Sequence, residues 1–325
     1  MSSDDSDGTS LPNTTISSGW FTESSVLWPG QRFSLALSGL SPSSILQSCI
    51  TPYQSILVFD SAQHGRVMCL DGVIQTCTSD VRNYSEMMVH VPFLSLPYPP
   101  RSVLIVGGGD GAVLTEVLRH PGVEKVVVVE IDPGVIETAR RHFPAIVRGS
   151  FDDPRVSVVH SDAADYLGTS SSSSPSPSPS PSSVPPSTFD VIINDASDPC
   201  GPSERLYSPA FFRDMRRALS PGGVVCSQCE SMWVNLDFAV DMVAALAGVF
   251  DGVEYGYIMV PTYPGGGIGM ILGRKAFEGC EVGVCKRPTR LVKEAGVVGT
   301  MKYYSGKTHR GAFQLPREVQ RRMDE

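Results

Sequence analysis

The sequence predicts an α/β chain: a small N-terminal β domain, then a mostly parallel sheet with helices on both faces. Two observations carry the second domain. From residue 101 onward, apolar runs alternate with helical patterns, which is how a parallel sheet covered by helices is written. The stretch VLIVGGGDGAVLTEVL at 103–118 passes from an apolar run through glycines into helical periodicity, the strand-to-helix turn of Rossmann-like sheets. The β domain rests on short β-type runs with turn pairs before residue 96.

In chain order, residues 1–18 are acidic and polar and are expected to form a disordered tail. Residues 19–95 are assigned to the β domain; ILVFD (56–60) and VMCLDGVIQT (67–76), the latter broken by Asp71-Gly72, read as hairpin strands. Residues 96–325 form the larger domain. Strands are expected at 103–107, 126–131, 155–160, 189–194, 222–229, 253–260 and 267–273, and the proximity of the last two predicts an antiparallel hairpin at one edge. Helical patterns lie near 111–119, 133–143, 208–219 and 235–248; Ser208-Pro209 is an N-cap with a first-turn proline, and Pro221-Gly222-Gly223 marks a helix end and turn. GTSSSSSPSPSPSPSSVPPST (168–188) alternates serine and proline and can neither bury a core nor join a ladder, so it is expected to be a disordered surface insertion.

A chain of 325 residues that is 41% hydrophobic has material for two domains and a large core. A net charge of −8 argues against a nucleic-acid binder, which shows basic clusters. No apolar run is long enough to span a membrane. Eight cysteines are present; Cys226 and Cys229 fall in an apolar run and Cys280-x4-Cys285 lacks partners at ligand spacing, so free thiols are expected rather than a metal site. The opening MSSDDSDGTS is not a secretory signal, and a reducing cytoplasmic setting is expected. Asn13 and Asn83 match the glycosylation pattern and are taken as chance matches.

Ligands of such sheets bind at the carboxyl ends of the strands. Those ends carry acids: Asp110 in GGGDG, Glu130 in VVVVEID, Asp162 in VVHSDAADY, and Asp195 and Asp198 in VIINDASDP. An acid ending the second strand accepts hydrogen bonds from ribose hydroxyls, which implies a nucleoside. Asp162 is placed to meet an adenine amine. Gly107, Gly108 and Gly109 let the backbone approach the ligand. Asp110 opposes a phosphate and a carboxylate but pairs with an ammonium. The loop therefore suits a nucleoside with a cationic arm, such as decarboxylated S-adenosylmethionine. Tyr84, Tyr263 and Trp28 form a candidate apolar slot capped by Asp195 and Asp198, suited to a linear diamine because aromatic faces attract ammonium groups.

Ten motifs in order make the sequence similar to the polyamine aminopropyltransferases, most of all the eukaryotic spermidine synthases: GWF…LWPGQ (19–31), YQSILVF (53–59), LDGVIQ (70–75), YSEM (84–87), VLIVGGGDG (103–111), EID (130–132), DASDP (195–199), QCESMW (228–233), VPTYP (260–264) and KYY…HRGAF.LP (302–316). The resemblance implies a methyltransferase-like α/β domain after the β domain, decarboxylated S-adenosylmethionine as co-substrate with no further cofactor, putrescine as acceptor, and a homodimer. It implies donor contacts from Gln54, Asp110, Glu130, Asp162 and the Ala163 amide, a proton acceptor in Asp195, and diamine contacts from Tyr84, Asp198 and Tyr263. The sequence departs from the pattern where ERDEFSYQEM is TSDVRNYSEM (78–87), GDG is Ser161-Asp162-Ala163, and DSSDP is DASDP. These departures bear on acceptor identity. Two other enzyme readings share the scaffold, a putrescine N-methyltransferase and a synthase that accepts spermidine. A regulatory paralogue without turnover is a third alternative.

Overall fold

Apolar runs bounded by turn residues become buried strands in two separate units, 1–79 and 80–325, of a computed structural model. The structure describes residues 14–23, 25–168, 184–277 and 285–325.

The first unit holds two antiparallel sheets. One is β1 (Thr14–Ser17), β2 (Trp20–Glu23) and β3 (Phe33–Ala36), in that order. The other is β4 (Ile45–Ile50), β5 (Ser55–Ser61), β6 (Gly65–Leu70) and β7 (Val73–Cys77). The expected hairpin is β6–β7, turning at Asp71-Gly72 with φ 47° and 78°. β1 corrects the expected tail: residues 1–13 lie outside the described residues, but 14–17 pair with β2 from Thr14↔Glu23 to Ser17↔Trp20. Three consecutive β-branched residues, Thr14 to Ile16, favour an extended chain even though the run is polar.

The domain boundary is also corrected, from 95/96 to 79/80. Residues Val81–Ser95 are not part of the β domain but a helix, α1, that opens the second unit. Every residue from Tyr84 to Ser95 is buried. A helix covered all round shows no 3.6-residue apolar stripe, and MMVHVPFL reads like a strand.

The second unit then runs β8 (Ser102–Gly107), α2 (Ala112–Leu118), β9 (Lys125–Val129), α3 (Pro133–His142), α4 (Pro144–Val147), β10 (Val156–Val159), α5 (Ala163–Leu167), β11 (Phe189–Asp195), α6 (Pro209–Ala218), β12 (Leu219–Cys229), α7 (Leu236–Ala247), β13 (Gly252–Met259), β14 (Gly267–Arg274), α8 (Gly306–Ala312) and α9 (Arg317–Asp324). Its sheet has the order β10-β9-β8-β11-β12-β14-β13. The first five strands are parallel, and the β13–β14 hairpin closes one edge antiparallel, as expected. The strand order reverses between β8 and β11, whose carboxyl ends are where ligands of this architecture bind. Apolar clusters line both faces, with Ile105, Val128 and Ile193 on one side and Leu104, Val127 and Ile192 on the other. That alternation is the period-two rule of a strand.

Ser208 caps α6 by accepting the Phe211 amide. Pro221-Gly222-Gly223 is not a turn; it lies within β12, where the register to β11 is interrupted between Phe189 and Val191 and Gly222 takes φ 80°. Of the Ser/Pro insertion, 169–183 lie outside the described residues. Its end is anchored: Val184 is buried and its carbonyl accepts from Arg217 at 2.6 Å. Cys226 and Cys229 are buried free thiols in β12. The KYY motif is held by buried Glu86, whose carboxylate accepts the amides of Lys302, Tyr303 and Tyr304 at 2.8–3.1 Å. No helix among the described residues is long and apolar enough to cross a membrane.

Candidate active site

The turn after β8 is shaped by its glycines. Gly107 and Gly108 take φ 74° and 73°, which L-residues avoid. A Cβ on Gly107 would stand 2.5 Å from the Asp195 carbonyl, and one on Gly109 2.8 Å from Glu130 Oε2. The Gly108 amide donates to the Asp195 carbonyl at 3.1 Å. The turn thus lies directly against the end of β11.

Asp110 comes next and accepts the Ala112 amide at 2.9 Å, in the first turn of α2. Its charge raises the proton affinity of Glu130, Asp195 and Tyr263, so it shares their space. Glu130 leaves the end of β9 and accepts the Gly109 amide at 3.1 Å and the Asp132 amide at 2.9 Å. Burial pushes its carboxyl up to about 7, against the pull of those two amides. Asp162 caps α5 through the Ala164 amide at 2.7 Å, and its other oxygen meets Arg205 at 3.0 Å. Ala163, the first residue of α5, is buried.

Asp195 ends β11, where Tyr84 of α1 donates its hydroxyl to Oδ1 at 2.7 Å. Burial raises the Asp195 carboxyl well above the usual range, and the charges of Asp110 and Glu130 add to this. The Tyr84 hydrogen bond works in the opposite direction. The Tyr84 and Tyr263 rings lie 6.2 Å apart, tilted by 58°. Asp198 follows in the β11–α6 connection, with Oδ2 buried and lacking a hydrogen-bond partner. Burial holds it above the usual carboxylate range. Glu230, one residue past β12, is 5% exposed; burial and the Asp198 charge drive it up as well. The connection itself is braced: Tyr207 donates to the carbonyls of Ala196 and Ser197 at 3.1 and 2.8 Å, and Gln228 donates to the Tyr207 hydroxyl at 2.6 Å.

Tyr84, Asp110, Glu130, Asp195 and Tyr263 are therefore one interacting group, and Asp198 joins them through its effect on Tyr263. Trp28 and Gln54 belong to the N-terminal unit. Trp28 is buried with its indole nitrogen unpartnered, and Gln54 lies in the turn before β5, its amide donating to Thr51 at 3.1 Å. Two acids escaped the sequence reading. Glu230 had a usable signal, since it ends a fifth parallel strand. Asp80, just before α1, had none, because its partner Thr262 is 182 residues away.

A row of buried carboxylates thus stands at the switch point of a Rossmann-like sheet, one of them hydrogen-bonded by a phenol, and the comparisons with known proteins give the class as a transferase. Residues 81–282 match the family described as the spermine/spermidine synthase domain, and residues 19–78 that described as the spermidine synthase tetramerisation domain. Spermidine synthase of Dictyostelium discoideum is 40% identical over 310 residues, covering 95% of this chain and 99% of that protein. Spermidine synthase 2 of Arabidopsis thaliana is 39% identical over 307 residues, covering 93% and 83%. The solved spermidine synthase of Thermotoga maritima aligns with a TM-score of 0.78 at 27% identity, covering 94% of each chain. A spermidine synthase crystallised with the transition state analogue AdoDATO gives the same values. The chain belongs to the spermine/spermidine synthase family, the aminopropyltransferases.

Proposed function

We propose that the chain moves the aminopropyl group of decarboxylated S-adenosylmethionine to putrescine, forming spermidine and methylthioadenosine. The observation that carries this reading is the 2.7 Å bond between Tyr84 and Asp195 amid the charges of Asp110 and Glu130. A carboxylate oriented by a phenol and made more basic by its neighbours suits removal of a proton from an ammonium. An alkyl amine has a pKa of ~10 in water and arrives protonated. Asp195 takes that proton. The freed nitrogen pair attacks the methylene beside the sulfonium. As the carbon–nitrogen bond forms, the carbon–sulfur bond breaks and its electron pair leaves with methylthioadenosine. The product nitrogen carries the positive charge that sulfur loses. Holding nitrogen, carbon and sulfur in line supplies much of the remaining acceleration.

Glu130 suits a ribose and Asp162 an adenine amine. Asp110 suits the ammonium of the donor's arm. Tyr84 and Tyr263 suit the methylenes of the acceptor, and Asp198 with Glu230 its far ammonium. This scheme requires no metal or further cofactor. The match of residues 19–78 to a tetramerisation domain supports self-association, for which a homodimer is the smallest assembly. The predicted setting is the cytoplasm. The test is incubation of the purified protein with decarboxylated S-adenosylmethionine or S-adenosylmethionine and a panel of amines, followed by mass identification. Spermidine from the decarboxylated donor and putrescine is expected. N-methylputrescine, or no product from any pair, overturns the reading, and light scattering of the same sample reports the assembly.

A further inference from the structure

The first turn of α1 makes three long-range contacts, and only one of them is to the acid at the centre of the site. Tyr84 donates to Asp195. Asp80, four residues earlier and 5% exposed, accepts the Thr262 amide at 2.9 Å on Oδ2 and the Thr262 hydroxyl at 3.1 Å on Oδ1. Asn83 donates its side-chain amide to the Met259 carbonyl at 3.0 Å. The two Asp80 bonds grip the connection between β13 and β14, the segment that carries Tyr263, and the Asn83 bond grips the last residue of β13. The connection also has its own turns: Tyr263 N to the Val260 carbonyl at 3.0 Å, Gly266 N to the Tyr263 carbonyl at 2.8 Å, and Val260 N to the Gly266 carbonyl at 3.0 Å, while Met259 N donates to the Tyr303 hydroxyl at 3.4 Å. Its turns fix its shape, and the Asp80 and Asn83 bonds tie it to the helix that carries Tyr84.

We propose that Asp80 and Asn83 are positioning residues that hold Tyr263 against Tyr84, and so set how tightly the site takes its acceptor amine. The inference rests on the reading that these two tyrosines flank the acceptor. The rings stand 6.2 Å apart and tilted by 58°, a direct aromatic contact, so a shift of the connection changes the paired surface they offer to a polymethylene chain. An Asp80 that satisfies both Thr262 donors leaves the connection no local rotation, because a buried amide without an acceptor is costly. Asn83 stands in the stretch that departs from the family pattern. Its side-chain amide adds a second tie between α1 and the end of β13. The same bond engages the nitrogen that glycosylation of Asn83 would require.

The experiment measures kcat and KM for both substrates in Asp80→Ala, Asp80→Asn and Asn83→Ser, with melting temperature as a check on folding. Asp80→Asn keeps an acceptor for the Thr262 amide and can donate to its hydroxyl, so it acts as the conservative rescue. Asp80→Ala is expected to raise the acceptor KM about tenfold with the donor KM unchanged and kcat altered less than threefold. Asp80→Asn should recover most of that loss, and Asn83→Ser should raise the acceptor KM about threefold. Equal loss for both substrates, or a fall in kcat alone, overturns the proposal. If Asp80→Ala does not fold, Asn83→Ser and Thr262→Val decide by the same ratio, and an unchanged ratio in both overturns it. A wild type that turns over no amine fails the proposed function itself, a result distinct from any of these.

Discussion

Tyr84 and Asp195 are 111 residues apart in sequence and 2.7 Å apart in space, so the acid ending β11 is oriented by a helix that precedes the whole sheet. The phenol donates to one carboxylate oxygen, Oδ1. Asp195→Asn, which keeps the shape and removes the proton acceptor, is expected to lower kcat by ~10²–10⁴ with a melting temperature no lower than that of the wild type.

Tyr84→Phe removes the orienting bond and one donor that favours the ionised acid. A loss of ~10-fold in kcat is expected, smaller than for Asp195→Asn because the acid itself remains. The acid limb of the kcat profile should move to higher pH, since this hydrogen bond lowers the carboxyl's proton affinity. A profile unmoved by the substitution contradicts the orienting role.

The buried acids make a prediction about stability without ligand. The folded pKa of Glu130 is about 7, above the ~4.3 of an unfolded chain. Between those values the folded form binds more protons than the unfolded one, so stability is full below about 4 and is lost as pH rises through 7. The raised carboxyl of Asp195 acts in the same direction. The melting temperature of the ligand-free protein should fall by several degrees from pH 5 to pH 8, and Glu130→Gln should flatten that slope. A melting temperature that rises over the range contradicts the raised proton affinity of these buried acids.

The glycine turn gives a paired test. Gly107 and Gly149 have nearly the same φ, 74° and 73°. A methyl group on Gly107 collides with the Asp195 carbonyl at 2.5 Å, whereas nothing lies within 4 Å of one on Gly149. Gly149→Ala should cost about 1 kcal/mol of stability, the left-handed penalty alone. Gly107→Ala should cost about 2–4 kcal/mol and abolish donor binding. Equal costs in thermal unfolding contradict the close approach.

The sequence made the sheet legible because its strands are short apolar runs set between capped helices. Ser208-Pro209 fixed the start of α6, and Asp71-Gly72 the β6–β7 turn. α1 was illegible for the opposite reason: burial on every side erased the stripe that marks a helix. The acids at the ends of β9 and β11 followed from strand position alone. Glu230 obeys the same rule at the end of β12. Asp80 does not, since only the folded chain brings it to Thr262. The Asp162–Arg205 pair likewise joins residues 43 apart that no pattern links.

The central claim is that carboxylates at the strand ends select a nucleoside whose arm is wholly cationic. Calorimetric titration of the protein with decarboxylated S-adenosylmethionine and with S-adenosylmethionine tests it most directly, in the wild type and in Asp110→Asn. At least tenfold tighter binding of the decarboxylated form is expected, with most of that preference lost in Asp110→Asn. Equal affinities in the wild type, or a preference that survives the substitution intact, contradict it.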